Sequence, residues 1–152
     1  MARLHVPVQL RWGDLDAYQH VNNAAMLQLL EEARIEAFWR HPDEATPRFP
    51  TAVLEAGPGA SLSTLVAKQE IEYLAPLGYR RSPVIVELWL GHLGGASLDV
   101  CYELRDEARV YARATTTIVL VDATGAPQRM TDVERTAWAP YVEAPIEFRR
   151  RR

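Results

Sequence analysis

The residues best equipped for chemistry stand together in RWGDLDAYQHVNN, residues 11–23. Asp14 and Asp16 are two positions apart, so in an extended stretch their carboxylates face the same side. His20, Asn22 and Asn23 follow, immediately before a run with helical periodicity. A helix start carries backbone N–H groups without partners and the positive end of the dipole. A carbonyl oxygen placed there is polarised, and an oxyanion forming there is stabilised. A carboxylate beside it can attack the carbonyl carbon or deprotonate a water that does. These parts suit acyl transfer or hydrolysis, thioesters above all, because a thiol of pKa about 8.5 departs without a strong general acid. Composition alone leaves two other readings open. Asp, Asn and His are common in loops, and Asn22 or Asn23 is fully explained as an N-cap. Asp14, Asp16 and His20 could also be metal ligands, but His5, His41 and His92 are scattered and offer no second ligand pair. No metal site is therefore expected.

The elements that must position these residues are legible around them. LHVPVQLRW alternates, with Leu4, Val6, Val8, Leu10 and Trp12 on one side, and Pro7 favours an edge or end position. From about Asn23 to Arg40, Met26, Leu29, Leu30 and Ala33 follow helical spacing, and Ile35, Ala37 and Phe38 widen the apolar face. A helix of that length spans roughly 27 Å. Residues 41–61 have no period and read as an irregular connection. Four strands are expected after it, at about 64–74, 83–93, 97–105 and 109–122, joined by short turns as an antiparallel meander. QRMTDVERTAW adds a helical turn. The order gives an α+β class, one long helix lying on an antiparallel five-stranded sheet. Residues 1–142 form a single domain, and 143–152, ending in four arginines, form a frayed tail.

The bulk properties exclude several classes. The chain has 152 residues, 48% of them apolar and 24% charged, which argues against global disorder. A net charge of −3 argues against nucleic acid as a partner. Cys101 is the only cysteine, so no intrachain disulfide can form, as suits a cytoplasmic location. No apolar run reaches the ~18 residues of a membrane span, and no secretory signal stands at the N-terminus.

RWGDLDAYQHVNNAAMLQLLEEAR resembles the N-terminal signature of the 4-hydroxybenzoyl-CoA thioesterase-like branch of the hotdog superfamily. The signature is a strand ending in an Arg/aromatic/x/Asp/x/Asp run, then H-V-N-N, then a helix carrying E-x-A-R. VAKQEIEYLAPL and VELWLGHLGGASLDVCYEL resemble the family's following strands, so the likeness covers most of residues 4–122. It implies a hotdog fold, a long helix wrapped by the sheet, and hydrolysis of an acyl-CoA to free acid and coenzyme A. The family's catalytic carboxylate falls on Asp16, as nucleophile or as general base. The polarising N–H belongs to the helix start at Asn23, while His20 and Asn22 orient the loop or the water. Asp14 holds the turn. Many relatives carry a tyrosine where this chain has Met26. Another hotdog branch uses a helix glutamate, but with Asp16 present, Glu31 and Glu32 read as a solvated pair.

Coenzyme A carries phosphates, for which Arg80 and Arg81 in the GYRRS turn are the candidates. The resemblance places the turn of Gly94, Gly95, Ala96 and Ser97 near the pantetheine arm. No cofactor is expected, since coenzyme A enters as part of the substrate. The family joins two sheets edge to edge, which implies a homodimer or a dimer-of-dimers tetramer. Two other functions stay open: a hydratase or dehydratase working through His20 and Asp16, and a non-catalytic acyl-CoA-binding module.

Overall fold

The computed structural model describes residues 2–57 and 59–149. Its elements are β1 (Leu4–Val8), α1 (Asn23–Phe38), β2 (Ser63–Tyr73), β3 (Val84–Leu93), β4 (Ser97–Arg105), β5 (Val110–Val121) and α2 (Asp132–Trp138). The strands form one antiparallel sheet in the order β1-β3-β4-β5-β2, with α1 packed against it. This is an α+β chain.

Alternation decides which face of the sheet meets the helix. In β5, Ala112, Ala114, Thr116, Ile118 and Leu120 are buried, as their period-two spacing requires. The apolar members of that row share one core with Val84, Val86, Leu88 and Leu90 of β3 and with Met26, Leu29, Leu30, Ala33, Ala37 and Phe38 of α1. Pro7 sits on β1, an edge strand, where its missing N–H disturbs nothing on the far side.

Several expectations need correction. β1 stops at Val8, and Trp12 enters a 3-10 turn and stands 74% exposed instead of joining the inward face. α1 covers 16 residues, about 24 Å, and ends at Phe38 because the chain bends away at Trp39. There the returning connection takes over, with the Leu54 N–H donating to the Phe38 carbonyl at 3.0 Å and the Arg40 N–H to the Leu54 carbonyl at 2.7 Å. Ile35 does not join the core and is 45% exposed. The four long strands are not a simple meander. β3, β4 and β5 are, but β2 pairs with β5 at the far edge, and residues 74–83 cross the sheet end to reach β3.

The C-terminal segment is also different from the expected frayed tail. Residues 142–149 run as a strap over the outer face of the sheet. The Glu143 N–H donates to the Leu90 carbonyl at 2.9 Å, the Trp89 indole N–H to the Ala144 carbonyl at 2.9 Å, and the Arg149 N–H to Glu72 at 2.9 Å. Pro145 crosses β3 where there is no side chain: a Cβ on Gly91 would lie 2.8 Å from the Cys101 Sγ and 3.1 Å from the Pro145 Cβ. Residues 150–152 of the expected tail lie outside the described residues.

Candidate active site

The loop between β1 and α1 is built from its own hydrogen bonds. Asp14 is 2% exposed, and both its oxygens are occupied. Oδ2 accepts the Arg11 backbone N–H at 2.8 Å, and Oδ1 accepts Arg11 Nε at 3.1 Å and Nη2 at 2.8 Å. Its carbonyl accepts the Asn22 N–H at 2.8 Å, which ties the strand end to the helix start. Asp14 thus holds the turn, and its carboxylate is committed to Arg11 rather than to a metal or a substrate.

Asp16 stands on the tight loop that follows. Its backbone N–H donates to the His20 carbonyl at 2.9 Å, its own carbonyl accepts the Gln19 N–H at 3.0 Å, and Gln19 adopts a left-handed φ of 64° to close the turn. The Tyr18 N–H donates to Asp16 Oδ1 at 2.9 Å, and Oδ2 accepts nothing from the described residues. The crossing segment buttresses the loop from below, through the Val21 N–H to the Leu77 carbonyl at 2.8 Å and a bridge between His20 and Gly78.

Asn22 is the N-cap: its Oδ1 accepts the Ala24 N–H at 2.8 Å and its carbonyl accepts the Met26 N–H at 2.9 Å. The Asn23 and Ala25 amides are left without acceptors among the described residues, so the positive end of α1 is open. Asp16, His20, Asn23, Met26 and Tyr73 line an open cleft of about 450 Å³ beside that end. Tyr73, at the close of β2, donates its hydroxyl to the Asn23 carbonyl at 2.9 Å. Partial burial pushes its phenol above the ordinary range. Sequence reasoning passed over Tyr73; its one local signal is a bulky polar-tipped residue closing a strand just before a proline-bearing connection.

The other expected residues are not gathered at the cleft. Arg80 is engaged on every guanidinium nitrogen: Nη1 with Asp106 at 2.9 Å, Nε with the Ser82 carbonyl at 3.2 Å and Nη2 with the Pro83 carbonyl at 2.8 Å. Arg81 is exposed at the same end of the sheet as Asp16. The 94–97 turn lies at the opposite end, separated by the length of β3, about 30 Å. That turn is held by the Gly94 N–H to the Ser97 carbonyl at 2.8 Å, and the Gly94 carbonyl accepts Arg135 Nη2 at 2.7 Å. Among the described residues no group of three His, Cys, Asp or Glu side chains is placed to hold a metal, and no helix is long and apolar enough to cross a membrane.

Residues 10–148 match the family model of the thioesterase-like superfamily. Among solved structures, a predicted thioesterase from Bacillus stearothermophilus superposes with a TM-score of 0.74 at 22% identity, covering 95% of this chain and 99% of that one. A thioesterase-superfamily protein from Jannaschia sp. CCS1 gives a TM-score of 0.75 at 17% identity, over 94% and 95% of the two chains. A thioesterase from Thermus thermophilus, solved with coenzyme A and zinc, gives 0.68 at 26% identity, over 90% and 92%. Comparison with curated proteins finds no significant match. The match over nearly the whole length, on a five-stranded sheet with its helix, shows that this chain belongs to the thioesterase-like superfamily, a hotdog family of thioester hydrolases.

Proposed function

We propose that the protein hydrolyses an acyl-CoA thioester to a free acid and coenzyme A, with Asp16 as the catalytic carboxylate. The observation that carries this reading is the pairing of a half-free carboxylate with an open helix start. Among the described residues, Oδ2 of Asp16 accepts nothing, and the Asn23 amide beside the same cleft is unpaired. The thioester carbonyl oxygen takes the Asn23 N–H, which draws charge off the carbonyl carbon. Asp16 then attacks that carbon, or takes a proton from a water that does. In the first case the C–S bond breaks, coenzyme A leaves as the thiolate, and a water then hydrolyses the mixed anhydride on Asp16 to the free acid. In the second the deprotonated water adds, the C–S bond breaks, and the free acid and the coenzyme A thiolate are released directly, the thiolate taking up the proton. His20 orients the water at the cleft rim. Asn22, whose side-chain oxygen is spent on the cap, acts by fixing the amides.

Two copies complete the site in this reading. β2 is an 11-residue edge strand with Leu65 55%, Val66 47% and Tyr73 45% exposed, a surface suited to pairing with a second chain. Two-fold pairing through β2 runs the strands antiparallel, so the start of one β2 lies beside the end of the other. That brings the 94–97 turn of the partner subunit to the Asp16 end of this one. Gly94, Gly95 and Ser97 can then serve the pantetheine arm, although they lie far from Asp16 within a chain. Arg81 is the exposed cation for the phosphates, and Arg80 shapes its turn. A homodimer is the smallest competent unit; pairing of dimers into a tetramer adds nothing the site needs.

Thiol release from an acyl-CoA panel, measured with the native protein and with Asp16→Asn, tests the assignment. The variant is expected to lose roughly a hundredfold or more in kcat while retaining acyl-CoA binding. Hydrolysis at the native rate by Asp16→Asn would remove Asp16 from the chemistry. Quenched-flow mass spectra separate the two modes, since an acyl adduct on Asp16 accumulates only if the carboxylate is the nucleophile.

A further inference from the structure

A second cavity, about 530 Å³, opens between the C-terminal half of α1, the 41–56 connection and the start of β2. Its walls mix apolar and charged groups, including Ile35, Trp39, Arg48 and Val66, and Arg34 stands in its wall. Arg34 also borders the small apolar void inside the core, beside Phe38, Leu98 and Trp138. This arginine is 6% exposed. Its Nη1 donates to the Tyr102 hydroxyl at 2.9 Å, and Tyr102 is wholly buried on β4. Its Nη2 meets Glu31 Oε2 only at 3.5 Å, from a glutamate side chain that is 58% exposed. Its Nε is the one buried side-chain nitrogen or oxygen without a partner among the described residues.

A buried guanidinium with a free N–H is costly unless an acceptor arrives. The Nε and Nη2 donors lie on one edge of the planar group, the edge that receives a carboxylate or a single oxygen. Nη1 is pinned by Tyr102 on the other side, so this edge is held in place. We propose that Arg34 reads the acyl group: the substrate carries an oxygen acceptor along its chain, a carboxylate or hydroxyl, that takes the place of Glu31 at Nη2 and, as the Nε–Nη2 edge turns to the cavity, gives the closed-off Nε its acceptor. This rests on the acyl-CoA reading above. It also fits the two-fold arrangement, in which the cavity's Thr64 and Val66 end of β2 lies beside the partner's cleft. The oxygen-bearing part of a thioester held at one Asp16 thereby reaches the other chain's Arg34. Glu31, on a flexible exposed side chain, swings out when a carboxylate enters.

Calorimetric titration with non-hydrolysable thioether analogues tests this without needing turnover. S-alkyl-CoA compounds of four to twelve carbons are compared with the same chains ending in a carboxylate or a hydroxyl. The native protein is expected to bind at least one oxygen-bearing chain tenfold or more tightly than its alkyl match. Arg34→Met keeps length and apolar packing, and is expected to erase that preference while leaving alkyl-chain binding within a few-fold. Arg34→Lys keeps the charge but lacks the fork, and is expected to restore little of it. Equal binding of alkyl and oxygen-bearing chains by the native protein overturns the proposal, as does an equal loss for both in Arg34→Met. Should Arg34→Met fail to fold, Tyr102→Phe, which frees the guanidinium from its anchor, must narrow the preference; an unchanged preference also overturns it. Absence of hydrolysis with these preferences intact sinks the thioesterase reading and leaves Arg34 recognition standing.

Discussion

Asp14 and Asp16 are chemically identical and two positions apart, yet their surroundings differ: both oxygens of Asp14 are occupied, whereas Oδ2 of Asp16 accepts nothing from the described residues. Asp14 is buried and engaged by Arg11, so its substitution is a structural lesion. Asp14→Asn is expected to lower the melting temperature by several degrees, with a smaller loss of kcat per folded molecule than Asp16→Asn; calorimetry and thiol release on the same preparations check it. Asn22→Ala removes the cap on Ala24 and should cost about 1 kcal/mol in a denaturant titration, with a fall in kcat because the Asn23 amide loses its fixed direction. Tyr73→Phe deletes one hydrogen bond to the helix start, so a several-fold loss in kcat/KM with little change in stability is expected. The turn held by Asp14, the loop position of Asp16 and the cap at Asn22 were legible because their partners are local: Arg11 to Asp14, Tyr18 to Asp16, Ala24 to Asn22. Tyr73 and Arg34 were not, because Tyr73 meets Asn23 across 50 positions and Arg34 meets Tyr102 across 68.

Among the elements, periodicity marks α1 and each strand to within one or two residues, save that it draws β1 four residues too long. Alternation could not give strand order. LVAKQEIEY reads the same whether it pairs with its successor or with the last strand, and only the long crossing through residues 74–83 decides. That crossing is what braces the Asp16 loop, through Leu77 and Gly78. In the proposed dimer, the position of β2 at the far edge sets the assembly. Leu65→Glu with Val66→Lys puts charge on exposed edge positions without touching the core. Light scattering is expected to show a monomer with a native circular dichroism spectrum and thioesterase activity reduced at least tenfold. A folded, active dimer in that double variant would move the interface elsewhere.

For the whole molecule, one carboxylate held well below its ordinary range, Asp106, makes stability depend on pH in acid. The Tyr111 hydroxyl, the Ala108 and Arg109 amides and Arg80 all favour the charged form of Asp106, holding its carboxyl at about 2. Because this is below the value of an unfolded aspartate, the unfolded chain binds more protons between about pH 4 and pH 2. The contribution is complete above that window and lost as pH falls through it. Asp106→Asn should therefore flatten the slope of stability against pH between about 4 and 2, as seen in urea titrations at each pH. This contact joins residues 80 and 106, which nothing in either local sequence announces.

The strap over the outer face gives the chain an internal clock. Its passage at Pro145 covers Cys101, the sole thiol, and burial pushes that thiol above its ordinary range. An aromatic disulfide reagent should therefore label the native protein only when residues 142–149 lift away. The labelling rate then times that opening against global unfolding, and a chain shortened to residue 142 would lose the delay altogether.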